Sequence, residues 1–503
     1  MLSTVLAQTS SWKSPYVDYH ALAPEIVLGG VICLLLIVEM LLPERQKWTT
    51  STIAGFGLLG TLIPLLSLAL DDGPARVMFG GGYVVDDFSL VLKALFCIAA
   101  YVVILMSTTY VDEGDYYQGE YYFLVLTSVL GMLMISSSRD LISMFVAFEF
   151  LSIPSYMLAA WRKRDLKSNE AGMKYFLLGV FASAIMLYGM SLLYGESGTM
   201  TFAGIADYVS AEGNTPILAL GILFILIGFA FKVSAVPFHS WAPDTYEGAP
   251  TPVTAFLSVA SKAAGFVALL TLVFAAFPAA KDTWQPVFWI LAALTMTLGN
   301  LTALKQTNIV RMLAYSSIAQ GGFIIMPLAV VGRSPEATHD ALVAIVTYLI
   351  VYAAMNLGAF SVILAVSRKT GSGEIKSFGG LFDYAPGLTV VMTIFLVSLG
   401  GIPPTGGFIA KLYVFKSLTG SNNGWAIALA IIGVVNSVIA LYYYLNVAKQ
   451  MWFMPAPDGD TSPVRTPASL ISALTICTVA TLAIGIVPQI VLRFGDIAQF
   501  ASP

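Results

Sequence analysis

One glutamate and several lysines lie inside long apolar segments, where an ionised side chain is costly unless it is paired, protonated or hydrated. Apart from Arg311 near the start of one segment, every cation inside these segments is a lysine, which can lose its proton when buried, whereas arginine keeps its proton. A nearby carboxylate favours a charged lysine and desolvation disfavours it, so the two residue types together can hold or release a proton. The sequence therefore predicts a proton-transfer path, with the candidates Glu149, Lys174, Lys232, Lys262 and Lys411.

The surroundings of these candidates differ. Glu149 lies near the middle of an apolar segment, between Phe148 and Phe150. Lys262 has small and hydroxylic neighbours, in Ser258-Val-Ala-Ser-Lys262-Ala-Ala-Gly265, which admit water. Lys174 is about four residues into its segment, so it either joins the path or extends to the membrane interface. His239 is either an accessory proton relay or a hydrogen-bonded structural histidine. Extension to the interface is the expectation for two lysines near segment ends, Lys93 and Lys416.

The elements that position these residues are predicted to be transmembrane helices. Of 503 residues, 57% are hydrophobic and 11% are charged, against about 25% charged in soluble domains. Because a bilayer core needs about 20 apolar residues per helix, the sequence predicts an all-α integral membrane protein with about 14 spans. The expected spans are 22–42, 51–70, 86–109, 120–137, 140–161, 170–194, 215–236, 250–278, 286–304, 308–331, 339–367, 386–417, 424–452 and 467–492.

The distribution of cations supports this number of spans. One set of alternate loops carries 13 Lys and Arg residues, and the other set, which includes both termini, carries 6. Cytoplasmic loops of membrane proteins are enriched in these residues. Both termini are therefore expected on the outer side of the membrane.

Two of the predicted spans are interrupted. The seventh runs into Val236-Pro237-Phe238-His239 and Pro243, and is expected to resume after Pro250-Thr-Pro252. Gly400 to Gly407, which contains Pro403 and Pro404, cuts the twelfth. Such breaks are tolerated at membrane depth where protein or a water-filled cavity surrounds them.

The interruptions are 403 − 237 = 166 residues apart, which indicates two five-helix repeats of inverted orientation. A short echo, Ala184-Ile-Met-Leu-Tyr-Gly189 and Ala353-Ala-Met-Asn-Leu-Gly358, has an offset of 353 − 184 = 169. The expected division is a three-helix segment at 1–119, repeats at 120–278 and 286–453, and a last helix at 466–503.

Motifs of soluble enzymes are missing from the sequence. It has no P-loop, Rossmann glycine pattern, nucleophile elbow, CxxC or HExxH site. Three histidines and three scattered cysteines make haem and iron–sulfur ligation improbable. No basic run suggests nucleic acid. We therefore expect no cofactor, no metal and no redox centre in this chain.

The segment KVSAVPFHSWAPDTYEGAPTP, from Lys232 to Pro252, and Ser261-Lys262 resemble the signature of the antiporter-like subunits of respiratory complex I. Ala23-Pro-Glu-Ile-Val27 and Gly400 to Phe408 resemble the N type of that family. The M type typically has a glutamate where this chain has Lys411, and the L type continues into a long lateral helix.

This resemblance implies specific roles. Glu149 would pair with Lys232, Lys262 would be the central proton carrier, and Lys411 would connect to the outer half-channel. Lys174 matches an additional lysine of the N type. NADH, FMN, iron–sulfur clusters and quinone would belong to other subunits. The partners would be other membrane subunits, another antiporter-like one among them, in a bacterial inner membrane.

The resulting hypothesis is a proton-translocating membrane subunit of NADH:quinone oxidoreductase, driven by redox chemistry in other subunits. One alternative is a subunit of a multisubunit Na⁺/H⁺ antiporter, which shares the helical core. Another is a passive membrane scaffold, in which the charges of Glu149 and the lysines only hold helices together.

Overall fold

The computed structural model describes residues 16–43, 46–71, 73–114, 118–421, 423–457 and 459–500. Lys13 and Arg45, which contribute to the charge bias, lie outside these ranges. The helices within them are α1 Ala23–Leu41, α2 Thr49–Ala69, α3 Asp87–Glu113, α4 Gln118–Ser137, α5 Leu141–Ala159, α6 Leu166–Ser197, α7 Phe202–Glu212, α8 Pro216–Lys232, α9 Trp241–Gly248, α10 Thr251–Ala276, α11 Lys281–Ala303, α12 Ile309–Ile325, α13 Pro335–Thr370, α14 Leu381–Tyr384, α15 Pro386–Gly400, α16 Gly406–Thr419, α17 Gly424–Phe453, α18 Ala468–Ile486 and α19 Gln489–Ile497. An antiparallel hairpin of β1 Arg76–Met78 and β2 Tyr83–Val85 precedes α3.

The predicted membrane fold is confirmed. Among the described residues, 12 helices are long and apolar enough to cross a membrane, and α8 and α15 are shorter apolar helices. These two are the helices that precede the predicted breaks. Counting each as one crossing with the half-helix that follows it gives 12 + 2 = 14 crossings in the described ranges, as the sequence predicts.

Both broken helices end near the expected positions. The first half-helix, α8, ends at Lys232, and the chain becomes helical again in α9, at Trp241 rather than after Pro252. Pro243 allows this early start because it lies in the first turn of α9, where no intrahelical bond is lost. The second break begins at Gly401, whose φ of 87° ends α15 and favours glycine.

The end of the last crossing was predicted wrongly. Its helix, α18, ends at Ile486 rather than at residue 492, and Val487 leaves the helical conformation, with φ of −124° and ψ of 76°. Pro488 explains this because a residue that precedes proline is disfavoured in the helical conformation. A separate nine-residue helix, α19, follows; it buries Val491 and Gly495 and exposes Phe494.

Both described ends of the chain lie on one face of the helix bundle. Asp18 accepts a hydrogen bond from Arg76 at 2.7 Å, and the ring of Phe500 stacks on that of Phe88 with centroids 4.1 Å apart. We call this face, defined by these four residues, the terminal face. The opposite, cationic face carries residues of loops and helix ends, such as Arg162, Lys167, Arg368 and Lys369.

Lys93 corrects an expectation. It does not extend to the interface but is fully buried, with its ammonium 2.7 Å from the carboxylate of Glu25 on α1. Tyr83 of the hairpin donates to the same carboxylate at 2.8 Å. The lysine is enclosed because α1 and the hairpin cover the start of α3. Lys416, in contrast, has a 58% exposed side chain and pairs with Asp340, as expected for the end of a span.

Candidate functional site

Lys232 is the last residue of α8, and its side chain is buried in the bundle, 2% exposed. Its ammonium donates to the hydroxyl of Ser152 on α5 at 3.0 Å and to that of Tyr175 on α6 at 3.3 Å. Gly265 of α10 permits this packing, since a Cβ there would lie 3.0 Å from the Lys232 stem. The first broken helix therefore ends on a buried lysine with neutral hydrogen-bond acceptors.

Glu149 lies on α5 one turn before Ser152 and is half-buried. One of its carboxylate oxygens, Oε1, is buried and has no hydrogen-bond partner within the described ranges. No described carboxylate, that of Glu149 included, lies within 4.0 Å of the Lys232 ammonium. Lys232 donates instead to Ser152, which lies one turn after Glu149 on α5. Glu149 and Lys232 thus lie in one region of the bundle but do not form an ion pair.

Lys262 lies in the middle of α10 and is 2% exposed. Its ammonium donates to the backbone carbonyl of Ser317 at 2.9 Å and to the Ser317 hydroxyl at 2.7 Å. The helix widens to a π-helical turn from Leu257 to Ser261, directly before the lysine. Such turns are rare and occur often at functional sites.

Two tyrosine hydroxyls add polar atoms near Ser317. They belong to Tyr246 of α9 and Tyr352 of α13, and both are buried beside the Ser317 hydroxyl. The surroundings of Lys262 therefore carry several hydroxyl groups.

Ser317 and Gln320, one turn apart on α12, begin a line of polar groups that extends toward the second break. We call it the polar line. The amide of Gln320 donates to the backbone carbonyl of Leu399 at 3.0 Å and to the hydroxyl of Tyr444 at 3.2 Å. Tyr348 of α13 donates to its side-chain oxygen. Tyr444 also bonds Ser316. The side chain of Gln320 thereby connects the middle of the bundle to the end of α15.

Lys411 on α16 lies at the end of the polar line, on the other side of the second break. It is 4% exposed and donates to the backbone carbonyl of Gly400 at 2.9 Å. Its ammonium also lies 4.8 Å from the centroid of the Phe323 ring. The last carbonyls of a helix lack intrahelical partners. At the end of α15 two of them, from Leu399 and Gly400, accept from Gln320 and Lys411.

Lys174 lies apart from the buried lysines. Its side chain is 41% exposed, near the cationic face, and its ammonium is 2.6 Å from both Glu170 and Asp244. Arg311 of α12 also contacts Asp244, at 2.7 Å, and Glu247, at 3.0 Å. This cluster attaches the half-helix α9 to α6 and α12. It does not bring Lys174 into contact with Lys232 or Lys262.

The breaks themselves lie partly at the surface of the chain. Pro237, Pro403 and Pro404 are exposed, and His239 is half-buried. The Nδ1 atom of His239 is buried and lacks a hydrogen-bond partner among the described residues. Neither break is therefore fully enclosed by this chain, and the histidine retains a free ring nitrogen.

The sequence reasoning missed the neutral polar residues around the buried lysines. They are Ser152, Tyr175, Ser317, Gln320, Tyr348 and Tyr444. One signal could have identified part of this set: Ser316, Ser317 and Gln320 form a polar cluster inside an apolar span. Across the described ranges, no group of three or more His, Cys, Asp or Glu residues could hold a metal ion.

Similar proteins share this architecture. Residues 138–440 match the family described as NADH:quinone oxidoreductase/Mrp antiporter, transmembrane. The NADH-quinone oxidoreductase subunit N of Trichlorobacter lovleyi is 40% identical over 484 residues, which cover 95% of this chain and 96% of that protein. A chain of respiratory complex I from Thermus thermophilus superposes with a TM-score of 0.76 at 31% identity, covering 93% of this chain and 98% of its own.

The fold alone is shared more widely. A chain of the Mrp complex from Dietzia superposes with a TM-score of 0.84 at 21% identity, covering 96% of this chain and 97% of its own. The resemblance found in the sequence, including its N-type features, is confirmed by the matches at 31% and 40% identity. The chain therefore belongs to the antiporter-like family of membrane subunits found in NADH:quinone oxidoreductases and Mrp antiporters.

Proposed function

We propose that this chain is a proton-translocating membrane subunit of an NADH:quinone oxidoreductase, driven by redox chemistry in other subunits. The relative from Trichlorobacter lovleyi is named as a subunit of such an enzyme. One observation carries the proposal: Lys232 is buried at the first helix break, and buried Lys262 and Lys411 lie along a line of hydroxyl, amide and carbonyl groups that reaches the second break. Lysines in such surroundings can exchange protons with water. A lysine that only holds helices together does not need to exchange its proton.

Within this proposal the residues have separate roles. Glu149 and Lys232 form the switch, in which approach of the carboxylate holds the lysine proton and separation releases it. Lys262 is the central carrier, and Lys411 passes protons to the outer half-channel. Lys174 lies at the opposite, cationic face, where protons would enter, and His239 is an accessory relay beside the first break.

The two breaks also support the proposed inverted repeats. The broken helices α8 and α15 end at Lys232 and Gly400, an offset of 400 − 232 = 168 residues. Two isolated β-bridges have a similar spacing, since Asp140 pairs with Thr201 and Asn308 with Glu374, at offsets of 308 − 140 = 168 and 374 − 201 = 173. A transport path between inverted repeats runs where the broken helices meet.

Further parts of the proposal concern the surroundings of the chain. We place the cationic face inside and the terminal face outside, in a bacterial inner membrane, following the charge bias. Other membrane subunits, including another antiporter-like one, are the proposed partners. Electron transfer through NADH, FMN, iron–sulfur clusters and quinone is assigned to other subunits, and this chain has no redox step.

Exchange of Na⁺ for H⁺ is the second candidate, because the matched family includes Mrp antiporter subunits and the fold is shared with the Mrp complex. The two functions differ in their driving reaction. Ion exchange that depends on the Na⁺ gradient and is independent of NADH would favour the antiporter. Proton transport that requires NADH and quinone would favour the oxidoreductase.

The test uses the assembled complex in sealed vesicles, with NADH-driven proton uptake as the measurement. Lys262→Arg keeps a cation at the centre of the line but one that does not release its proton. We expect proton uptake to fall at least about tenfold, since a positioned proton-transfer group typically contributes about 10²-fold or more. Lys416→Arg, at an exposed ion pair, is the matched control and should leave uptake unchanged.

Two outcomes would contradict the proposal. Normal proton uptake by assembled complexes with Lys262→Arg, and also with Glu149→Ala, would favour the passive scaffold. Purification of the chain in a complex without NADH:quinone reductase activity, together with NADH-independent ion exchange, would favour the antiporter.

A further inference from the structure

A narrow apolar slot lies between α3, α13 and α18. Its volume is about 250 Å³, and its lining is apolar throughout. Representative lining residues are Ala94, Ile98, Ala354, Leu357, Ala480 and Phe494. Lys232, Lys262 and Lys411 do not line it, so the slot is separate from the proposed proton path.

The slot is elongated along the helices that line it. On α3 it follows one helix face from Val91 to Val102, and at 1.5 Å per residue this is about 16 Å. An extended hydrocarbon chain of that length can lie along it.

Its orientation matches that of lipid in a bilayer. The slot runs along helices that cross the membrane, beginning at Phe494 of α19 near the terminal face. Its length of about 16 Å is close to half of the bilayer core, which is about 30 Å thick. The acyl chains of the leaflet on the terminal side therefore match the slot in length and direction.

Small side chains keep the slot open from the membrane side. Ala94, Ala354 and Ala480, one from each helix, are half-buried and line it, while Ile98 at its edge is 47% exposed. Well-packed interiors leave few voids of this size, and an apolar void does not hold water. An apolar molecule is the occupant that fits.

A charged group is available where a lipid headgroup would lie. Arg493 is exposed and directly precedes Phe494, which lines the end of the slot. Helix α19 has apolar residues on one side and charged residues on the other, as interfacial helices do. A phosphate next to Arg493 would place an attached acyl chain against Phe494 and into the slot.

We propose that this slot binds one acyl chain of a phospholipid from the terminal-side leaflet, with its phosphate at Arg493. The bound lipid seals the junction of α3, α13 and α18. The class of ligand follows from the apolar lining, the one-leaflet length and the exposed arginine that precedes Phe494 at the slot's end.

The test uses the assembled complex reconstituted with a phosphatidylglycerol that carries a photoreactive diazirine in one acyl chain. After illumination, we expect peptides of α3, α13 and α18 around Ala94, Ala354 and Ala480 to be labelled. Ala354→Phe and Ala480→Phe fill the slot and should each abolish this labelling. Ala293→Phe, at a half-buried alanine on α11, is the matched control and should leave the labelling unchanged.

Other results would overturn the proposal. Labelling that is absent from the slot, or that persists in both filled variants, would mean that no lipid chain occupies it. A cross-link from the slot to a neighbouring subunit would assign the space to a partner side chain. Co-purification of quinone in place of phospholipid, lost in Ala480→Phe, would assign it to a quinone tail. Arg493→Gln removes the charge that is proposed to bind the phosphate but leaves the slot intact. It should therefore weaken labelling without abolishing it.

Discussion

The ammonium of Lys262 donates to both the carbonyl and the hydroxyl oxygen of Ser317, at 2.9 and 2.7 Å. This contact joins α10 of the first proposed repeat to α12 of the second. The offset of 317 − 149 = 168 residues places Ser317 where the first repeat has Glu149. A carbonyl and a hydroxyl can accept from either an ammonium or an amine, so Lys262 keeps its partners in both protonation states.

Removal of the Ser317 hydroxyl tests this contact. Ser317→Ala keeps the hydrogen bond from Lys262 to the backbone carbonyl but removes the shorter one to the hydroxyl. A hydrogen bond to a charged group is worth about 1.5–3 kcal/mol. We expect NADH-driven proton uptake by the assembled complex to fall about tenfold. Ser361→Ala is the control, because that hydroxyl bonds only to Leu357 of its own helix in the described chain. Equal effects of the two variants would remove Ser317 from the path.

Gln320 is expected to couple the central lysine to the second break. Gln320→Leu conserves size but leaves the Leu399 carbonyl and two tyrosine hydroxyls with fewer partners, at a cost of about 1–3 kcal/mol for each unsatisfied group. The thermal midpoint of the complex and its proton uptake should both fall.

The matched control for this variant is Gln285→Leu. Gln285 is also buried and donates to the backbone carbonyl of Val331, outside the polar line. It should lower the thermal midpoint while proton uptake per assembled complex stays normal. Loss of uptake in both variants would indicate that packing, rather than the polar line, is what Gln320 provides.

Lys411 and Lys416, five residues apart on α16, should behave oppositely. Lys411→Ala removes a buried ammonium from the Gly400 carbonyl, and we expect most of the proton uptake to be lost. Lys416→Ala breaks an exposed pair with Asp340, of a kind worth about 1 kcal/mol or less, and uptake should be retained. Uptake measured in vesicles with equal amounts of assembled complex distinguishes them. A severe Lys416→Ala defect would contradict the assignment.

The buried pair of Lys93 and Glu25 is expected to be structural. Glu25→Gln leaves a buried ammonium without its counter-charge, which typically costs about 3–5 kcal/mol, so the yield and thermal midpoint of the complex should drop. The double variant Glu25→Gln/Lys93→Met removes both charges and should recover most of that loss. Proton uptake per assembled double-variant complex should be normal. Loss of uptake despite restored stability would show that this pair also carries protons.

The sequence by itself determined the membrane architecture. The number of crossings and the two broken helices follow from apolar length and from proline and glycine. The candidates Glu149, Lys232, Lys262 and Lys411 follow from the position of charge along the chain. These properties are local, because the cost of transfer into a bilayer is set residue by residue and span by span.

Only the tertiary structure decided which groups the lysines contact. Lys262 and Ser317 are 55 residues apart, and Gln320 and Tyr444 are 124 apart, so no local pattern pairs them. Lys93 and Lys416 both lie near span ends, yet α1 and the hairpin bury the first while the second is exposed. Lys174 pairs at the cationic face rather than with the buried line. Hydrogen bonds and burial depend on which helices become neighbours, and that is a property of packing rather than of sequence position.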